Sequence, residues 1–233
     1  MVRAGTRIAA LVGFGLLSAC TRWVDDPLAV HGIYPGLAPM PAYEGELPAV
    51  LFAAEDTPAN QGLLYTAMYE AEVASQYAGR AAAAGDPVLA RSALGEVLYA
   101  IDPELAPPWE AKAAGIVPGW AGGGYGVRRA ATNLAAAIEG EVAAGAPSPA
   151  LAESAPLVLT CAENTLGRAE RVAALSREAL DGATAEPLLD EIRDVATELN
   201  QGASAAVEAA DPACGLEEAE LYLDAVDPEG EGG

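Results

Sequence analysis

Apolar residues recur every three or four positions along most of this chain, which is the spacing of one face of an α-helix. Five such stretches begin near Thr57, Asp86, Val127, Ser148 and Glu186, and a shorter amphipathic one covers about 216–226. No segment alternates apolar and polar residues for long enough to predict a strand. The pattern therefore predicts an all-α fold, a four- to five-helix bundle over residues 57–226.

The helix starts are marked by a repeated dipeptide. Thr57-Pro58, Asp86-Pro87 and Ser148-Pro149 each place a capping side chain before a proline. The capping oxygen accepts a free N–H of the first turn, and proline at the first helical position has no N–H to leave unpaired. The stripe of the first helix consists of small residues, mostly alanine, which predicts closely packed helices with thin seams.

The two ends of the chain differ from this helical region. Residues 20–56 are rich in proline and glycine, which predicts a tether without long helices. The acidic, glycine-rich tail 227–233 is predicted to be disordered. At the N-terminus, Arg3 and Arg7 precede a short apolar run that ends in Leu17-Ser18-Ala19-Cys20.

That N-terminal layout is typical of a secretory signal and is too short for a comfortable membrane span. Its last four residues resemble the lipobox of bacterial lipoproteins. The resemblance implies that residues 1–19 are removed and that Cys20 carries the lipid. It also implies a protein anchored in the bacterial cell envelope and facing the periplasm, and Thr21 favours the outer membrane where the organism has one.

Charge limits the partners that this chain can have. The net charge is −22, and it becomes −24 when Arg3 and Arg7 are removed with the signal. Such a charge repels nucleic acid and anionic headgroups, so neither is expected as a partner. Attachment to a membrane would then depend on the lipid, and an envelope protein is the expected macromolecular partner.

Two cysteines remain after the lipobox. Cys161 and Cys214 form an even pair in a compartment that is expected to be oxidising, which makes them a candidate disulfide. The alternative is two buried free thiols. His31 is the single histidine and lies in the proline-rich tether, so neither a histidine-based metal site nor a catalytic triad is expected.

Residues 58–138 are similar to an uncharacterised group of exported all-helical bacterial proteins. The similarity is carried by segments 62–71, 97–103 and 124–131. It implies a shared fold, and the inward-facing histidines of that group would suit a metal or haem. This chain has Tyr77, Glu96 and Ala137 at those places, so the ligand chemistry is not expected to carry over, and no cofactor or metal is predicted.

Carboxylates on the first two predicted helices and a glycine run are the remaining candidates for chemistry. Glu70, Glu72 and Glu96 could serve in acid/base work or hold a hard cation, or they could form a solvated acidic face. Gly122-Gly123-Gly124-Tyr125-Gly126 precedes a helix that starts with Val127-Arg128-Arg129, which has the ingredients of an anion cradle. The alternative is a glycine hinge that lets Trp120 and Tyr125 cover the end of the bundle.

Two functional interpretations follow from the sequence. The first is a non-catalytic, lipid-anchored envelope protein whose acidic bundle acts in interaction or scaffolding. The second is a small-ligand or cation-binding bundle with the 103–126 loop as a lid. Its candidate pocket consists of Glu70, Tyr77, Glu96, Trp109, Trp120, Tyr125 and Arg128. An enzyme is not expected, because no catalytic constellation is present.

Overall fold

Helices make up nearly all of the regular structure in the computed structural model, which describes residues 47–106, 123–182, 184–203 and 213–226. The helices are α1 (Pro48–Leu51), α2 (Leu63–Ala83), α3 (Pro87–Ile101), α4 (Val127–Ala144), α5 (Pro149–Asp181), α6 (Glu186–Gln201) and α7 (Leu216–Asp224). Single 3₁₀ turns occupy Pro58–Asn60 and Pro103–Leu105. The described residues contain no strand, so the predicted all-α class is confirmed, and the five long helices are compatible with the predicted bundle.

Two helices, α2 and α5, each pack against three or more of the other helices. Helix α2 packs against α3, α4 and α6, and α5 packs against α3, α4, α6 and α7. Only residues 84–86 join α2 to α3, and this short connection makes the two helices antiparallel neighbours. The first turns of α2 therefore lie beside the last turns of α3 and the start of α4.

The interior combines small and large apolar side chains. Helix α2 buries Ala67, Ala74, Ala78 and Ala81, which lets its neighbours approach closely. The volume is filled by branched residues from the other helices, among them Leu94, Leu98, Ile101, Leu134, Ile138, Ile192 and Leu199. Each such side chain contributes roughly 1.5–3 kcal/mol when fully buried, whereas alanine contributes much less.

Helix α2 begins at Leu63, so its predicted start at Thr57-Pro58 is wrong. The Thr57 hydroxyl does not cap a helix; it contacts the carbonyl oxygens of Ala54 at 2.8 Å and Gln61 at 2.6 Å. Ala59 and Asn60 then take φ values of 57° and 55°, which break the helical path. Thr57 and Pro58 thus form a turn that leads into α2.

Part of the predicted tether belongs to the folded body. Leu47 and Val50 of the first short helix are buried, and Ala54 is buried just after it. The backbone of α1 passes close to Gly62, where an added Cβ would lie 2.5 Å from the carbonyl carbon of Leu51. Residues 47–56 therefore pack on the bundle.

Two of the other predicted starts agree with the structure because their capping chemistry is local. Asp86 Oδ1 accepts from the Val88 N–H at 2.8 Å, and Ser148 Oγ accepts from the Leu151 N–H at 3.1 Å. Helices α4 and α6 also begin at the predicted places, at Val127 and Glu186.

A disulfide joins Cys161 of α5 to Cys214, which lies just before α7, with Cα atoms 5.1 Å apart. Both cysteines are buried. Arg168 strengthens the same junction: it donates to the carbonyl oxygens of Ala213 and Cys214 and pairs with Glu198. The C-terminal helix is therefore held to α5 by a covalent bond and by a charged side chain.

Reduction of this disulfide should destabilise the protein. The bond closes a loop with a sequence separation of 53 residues, and chain-entropy arguments give about 4 kcal/mol for a loop of this size. Urea unfolding of the oxidised and reduced protein measures the difference. Equal free energies of unfolding in the two states would contradict the assignment of a stabilising role to this bond.

Candidate functional site

A fully buried carboxylate lies where α2, α3 and α4 meet. Glu70, in the second turn of α2, has no exposed surface. Its Oε1 accepts a hydrogen bond from the backbone N–H of Tyr125 at 2.9 Å. Its Oε2 is also buried and has no hydrogen-bond partner among the described residues. An acidic side chain in the interior with one oxygen unsatisfied is unusual and is a candidate functional group.

Residues 123–126, here called the glycine loop, pass directly over this carboxylate. A Cβ added to Gly123 would lie 2.7 Å from Cγ of Pro58 and 3.3 Å from Oε1 of Glu70. Gly124 and Gly126 have φ values of +72° and +86°, which residues other than glycine rarely adopt. The glycines are therefore required for both close approach and backbone conformation.

The backbone donors of this loop are directed at Glu70. Burial raises the pKa of Glu70 to about 7, while hydrogen bonds from the backbone of Tyr125, Gly126, Gly123 and Gly124 lower it. Of the two interpretations of the glycine run, the loop has the backbone donors of an anion cradle, and the side chain of Glu70 occupies it. The alternative hinge involves Trp120, which lies outside the described residues. Arg128, expected to assist there, instead pairs with Asp102 at 2.8 Å.

Two further acidic side chains from α3 lie near Glu70. Glu96 is 5% exposed, and Tyr99 lies beside Gly124, where an added Cβ would be 2.8 Å from the Tyr99 hydroxyl. Burial raises the pKa of Tyr99, and the charges of Glu70 and Glu96 raise it further. This region therefore disfavours negative charge.

The glycine loop is fixed on its outer side by the side chain of Tyr125. Its hydroxyl donates to Asp56 Oδ2 at 2.7 Å and accepts from Asn133 Nδ2 at 2.6 Å. The guanidinium of Arg129 lies 4.4 Å from the centre of the Tyr125 ring and pairs with Asp56 at 3.1 Å. This network links the loop to α4 and to the segment before α2.

An open groove of about 570 Å³, here called the outer groove, lies on the solvent side of the loop. Gly124 and Tyr125 form part of its wall, and Asp102, Arg128 and Asn133 also line it. Because Arg128 is paired with Asp102, the groove carries no free cation from that residue. The glycine loop separates this groove from Glu70.

A second groove of about 320 Å³ lies between α2 and α3. Tyr77, Arg80, Ser92 and Glu96 line it, and the Arg80 guanidinium stacks 4.4 Å from the centre of the Tyr77 ring. Leu89, on its rim, is 62% exposed. This groove is more apolar than the outer groove and is independent of it.

The predicted pocket residues therefore do not converge on one cavity. Glu70 is internal, Tyr77 and Glu96 line the α2–α3 groove, and Tyr125 and Arg128 line the outer groove. Trp109, Trp120 and most of the predicted lid lie outside the described residues, as does Cys20. Sequence reasoning missed Tyr99, Asp56 and Asn133. Tyr99 had one usable signal, since it follows Glu96 by three positions on the same helix.

No cluster of three or more histidine, cysteine, aspartate or glutamate side chains suited to a metal ion occurs within the described ranges. The chain matches no protein-family model, no curated protein and no solved structure. The geometry of the site is therefore the basis for any functional conclusion.

Replacing Gly126 by alanine should destabilise the protein. The new Cβ would lie 2.8 Å from Cδ of Pro103 at a φ of +86°, and the unfavourable φ alone costs about 1–2 kcal/mol. Gly79→Ala is the matched control, because nothing lies within 4 Å of a Cβ added there. On helix α2 that change should stabilise by about 0.5–1 kcal/mol. Chemical denaturation of both variants measures the two effects, and a neutral Gly126→Ala would show that the loop conformation is not constrained.

Proposed function

We propose that this protein is a lipid-anchored envelope protein whose acidic helical bundle acts in interaction or scaffolding and not in catalysis. The observation that carries this proposal is that Glu70 occupies the anion cradle formed by residues 123–126. The donors that would otherwise face a ligand are already engaged in holding the bundle together. The alanine- and leucine-filled interior supports the same interpretation.

Sequence and structure both bear on the proposed location. The lipobox at Leu17–Cys20 predicts lipidation and export. The disulfide between Cys161 and Cys214 is consistent with an oxidising compartment such as the periplasm. No helix in the described part of the chain has both the length and the hydropathy that a membrane crossing requires. In this proposal the lipid on Cys20 provides the attachment.

A second candidate function is the binding of a small ligand, and the α2–α3 groove favours it. Its lining combines an aromatic ring, a stacked guanidinium and a carboxylate within about 320 Å³. Such a groove would suit a small molecule with an apolar body and a polar group. The residues that define this candidate are Tyr77, Arg80 and Glu96.

The anchor should be detected by metabolic labelling with palmitate and by cell fractionation. The wild-type protein is expected to incorporate label and to be found with membranes, because two or more acyl chains give a stable anchor. Cys20→Ser removes the acceptor and should abolish the label. A wild-type protein that begins at Met1 and carries no label would contradict the proposal.

Crosslinking and capture of the intact lipoprotein from membranes, followed by mass spectrometry, separate the two candidate functions. Recovery of a defined protein partner that is missing from the Cys20→Ser sample supports scaffolding. Native mass spectrometry that finds a retained small molecule, lost in Tyr77→Ala, would instead support ligand binding in the α2–α3 groove.

A further inference from the structure

We propose that Glu70 is a proton-sensitive latch on the glycine loop. The neutral carboxyl holds Gly123–Gly126 closed over α2, and loss of its proton releases the loop toward the outer groove. This inference is independent of the proposed anchor and of any partner, because it concerns only the described bundle.

A direct contact joins the glycine loop to α2. The Tyr125 N–H donates to Glu70 Oε1 at 2.9 Å, and this bond connects residues 55 positions apart. A neutral carboxyl keeps this bond, because its carbonyl oxygen still accepts. The closed loop therefore does not require the ionised form.

Ionisation of Glu70 is unfavourable in the closed state. Glu70 is 0% exposed, its Oε2 has no hydrogen-bond partner, and none of the salt bridges among the described residues includes it. A buried charge without a partner is far less favourable than a buried neutral group. Ionised Glu70 therefore gains from contact with water, which opening of the glycine loop toward the outer groove would provide.

Titratable and charged groups of the surrounding elements also bear on the ionisation of Glu70. Helix α3 contributes Glu96 and Tyr99, and the loop contributes Tyr125, whose hydroxyl points away to Asp56. The backbone N–H groups of the loop favour the ionised form of Glu70, but burial outweighs them and raises its pKa. The charged side chains of α4 and α6 that form ion pairs among the described residues bind partners other than Glu70. These pairs are Arg128–Asp102, Arg129–Asp56, Arg193–Asp190, Arg193–Asp194, Glu191–Arg171 and Glu198–Arg168.

The direction of the pH effect follows from linkage. Burial raises the pKa of Glu70 from 4.5 to about 7 in the closed state, whereas an opened, hydrated carboxyl returns toward 4.5. The closed loop thus binds the proton more tightly, so it is favoured at acidic pH and loses that advantage as the pH rises from about 4.5 to about 7. Above about pH 7 the opening constant no longer changes with pH.

Hydrogen–deuterium exchange of the Tyr125 amide tests the latch. After correction for the intrinsic exchange rate, the opening constant of the wild-type loop should rise about tenfold for each pH unit between about 5 and 7. Glu70→Gln removes the titratable carboxyl and should give an opening constant that does not change with pH. Glu72→Gln is the matched control, because Glu72 is exposed on the same helix and bonds only to Gln76 among the described contacts; it should keep the wild-type slope.

Three results would overturn the latch. One is a flat wild-type profile, and another is an unchanged slope in Glu70→Gln. The third is an equal slope at the amide of Val172, buried in α5, because a shared slope would report global unfolding and not loop opening.

Direct titration of the wild-type carboxyl keeps the test independent of variant folding. Carbon-13 shifts of the Glu70 side chain should have a midpoint near 7, and a midpoint near 4.5 in the folded protein would overturn the proposal. This measurement decides the question if Glu70→Gln does not fold.

Discussion

The closed conformation of this bundle depends on one buried carboxylate that satisfies backbone donors far away in the sequence. Glu70 belongs to α2, and the N–H that it accepts belongs to Tyr125 at the entrance to α4. Helix α3 lies against the same point through Tyr99. Three helices are therefore positioned by a polar contact at a place where an apolar side chain would have left the loop donors unpaired, at a cost of about 1–3 kcal/mol for each buried group.

The alanine content of the interior explains why such specific contacts matter here. Alanine forms helices readily, but it buries little area and fits many alternative registers. The chain compensates with contacts that define positions: the Glu70 contact at one end of α2, and the Cys161–Cys214 disulfide with Arg168 at the junction of α5 and α7. These contacts fix which faces meet, whereas the small residues only allow the faces to approach.

The sequence predicted the parts of this fold that depend on local chemistry. The starts of α3 and α5 follow from Asp86 and Ser148, whose side chains cap the helices that they precede. The start of α2 was predicted wrongly, because Thr57 and Pro58 have the same local pattern and yet form a turn that buries the threonine. That outcome depends on how α1 packs near Gly62, which local patterns do not encode.

The candidate site shows the same division between local and long-range information. The glycine run was recognised as either a hinge or an anion cradle, since its composition and its position before a helix are visible in the sequence. The side chain that occupies the loop was not recognised, because Glu70 and Tyr125 are separated by 55 positions and only the fold brings them together. Spacing on one helix could relate Glu96 to Tyr99, but it could not relate either of them to Glu70.

The scarcity of basic residues bears on how the buried carboxyl of Glu70 is neutralised. The chain has 34 acidic residues and 12 basic ones, so most carboxylates must do without an arginine or lysine. Among the described residues, arginines compensate charges at the surface and at the junction with α7, as with Arg128–Asp102 and Arg168–Glu198. No arginine reaches Glu70 in these pairs. A buried acid without a paired cation among the described residues is neutralised most readily by a proton, and in the proposed latch this is why Glu70 responds to pH.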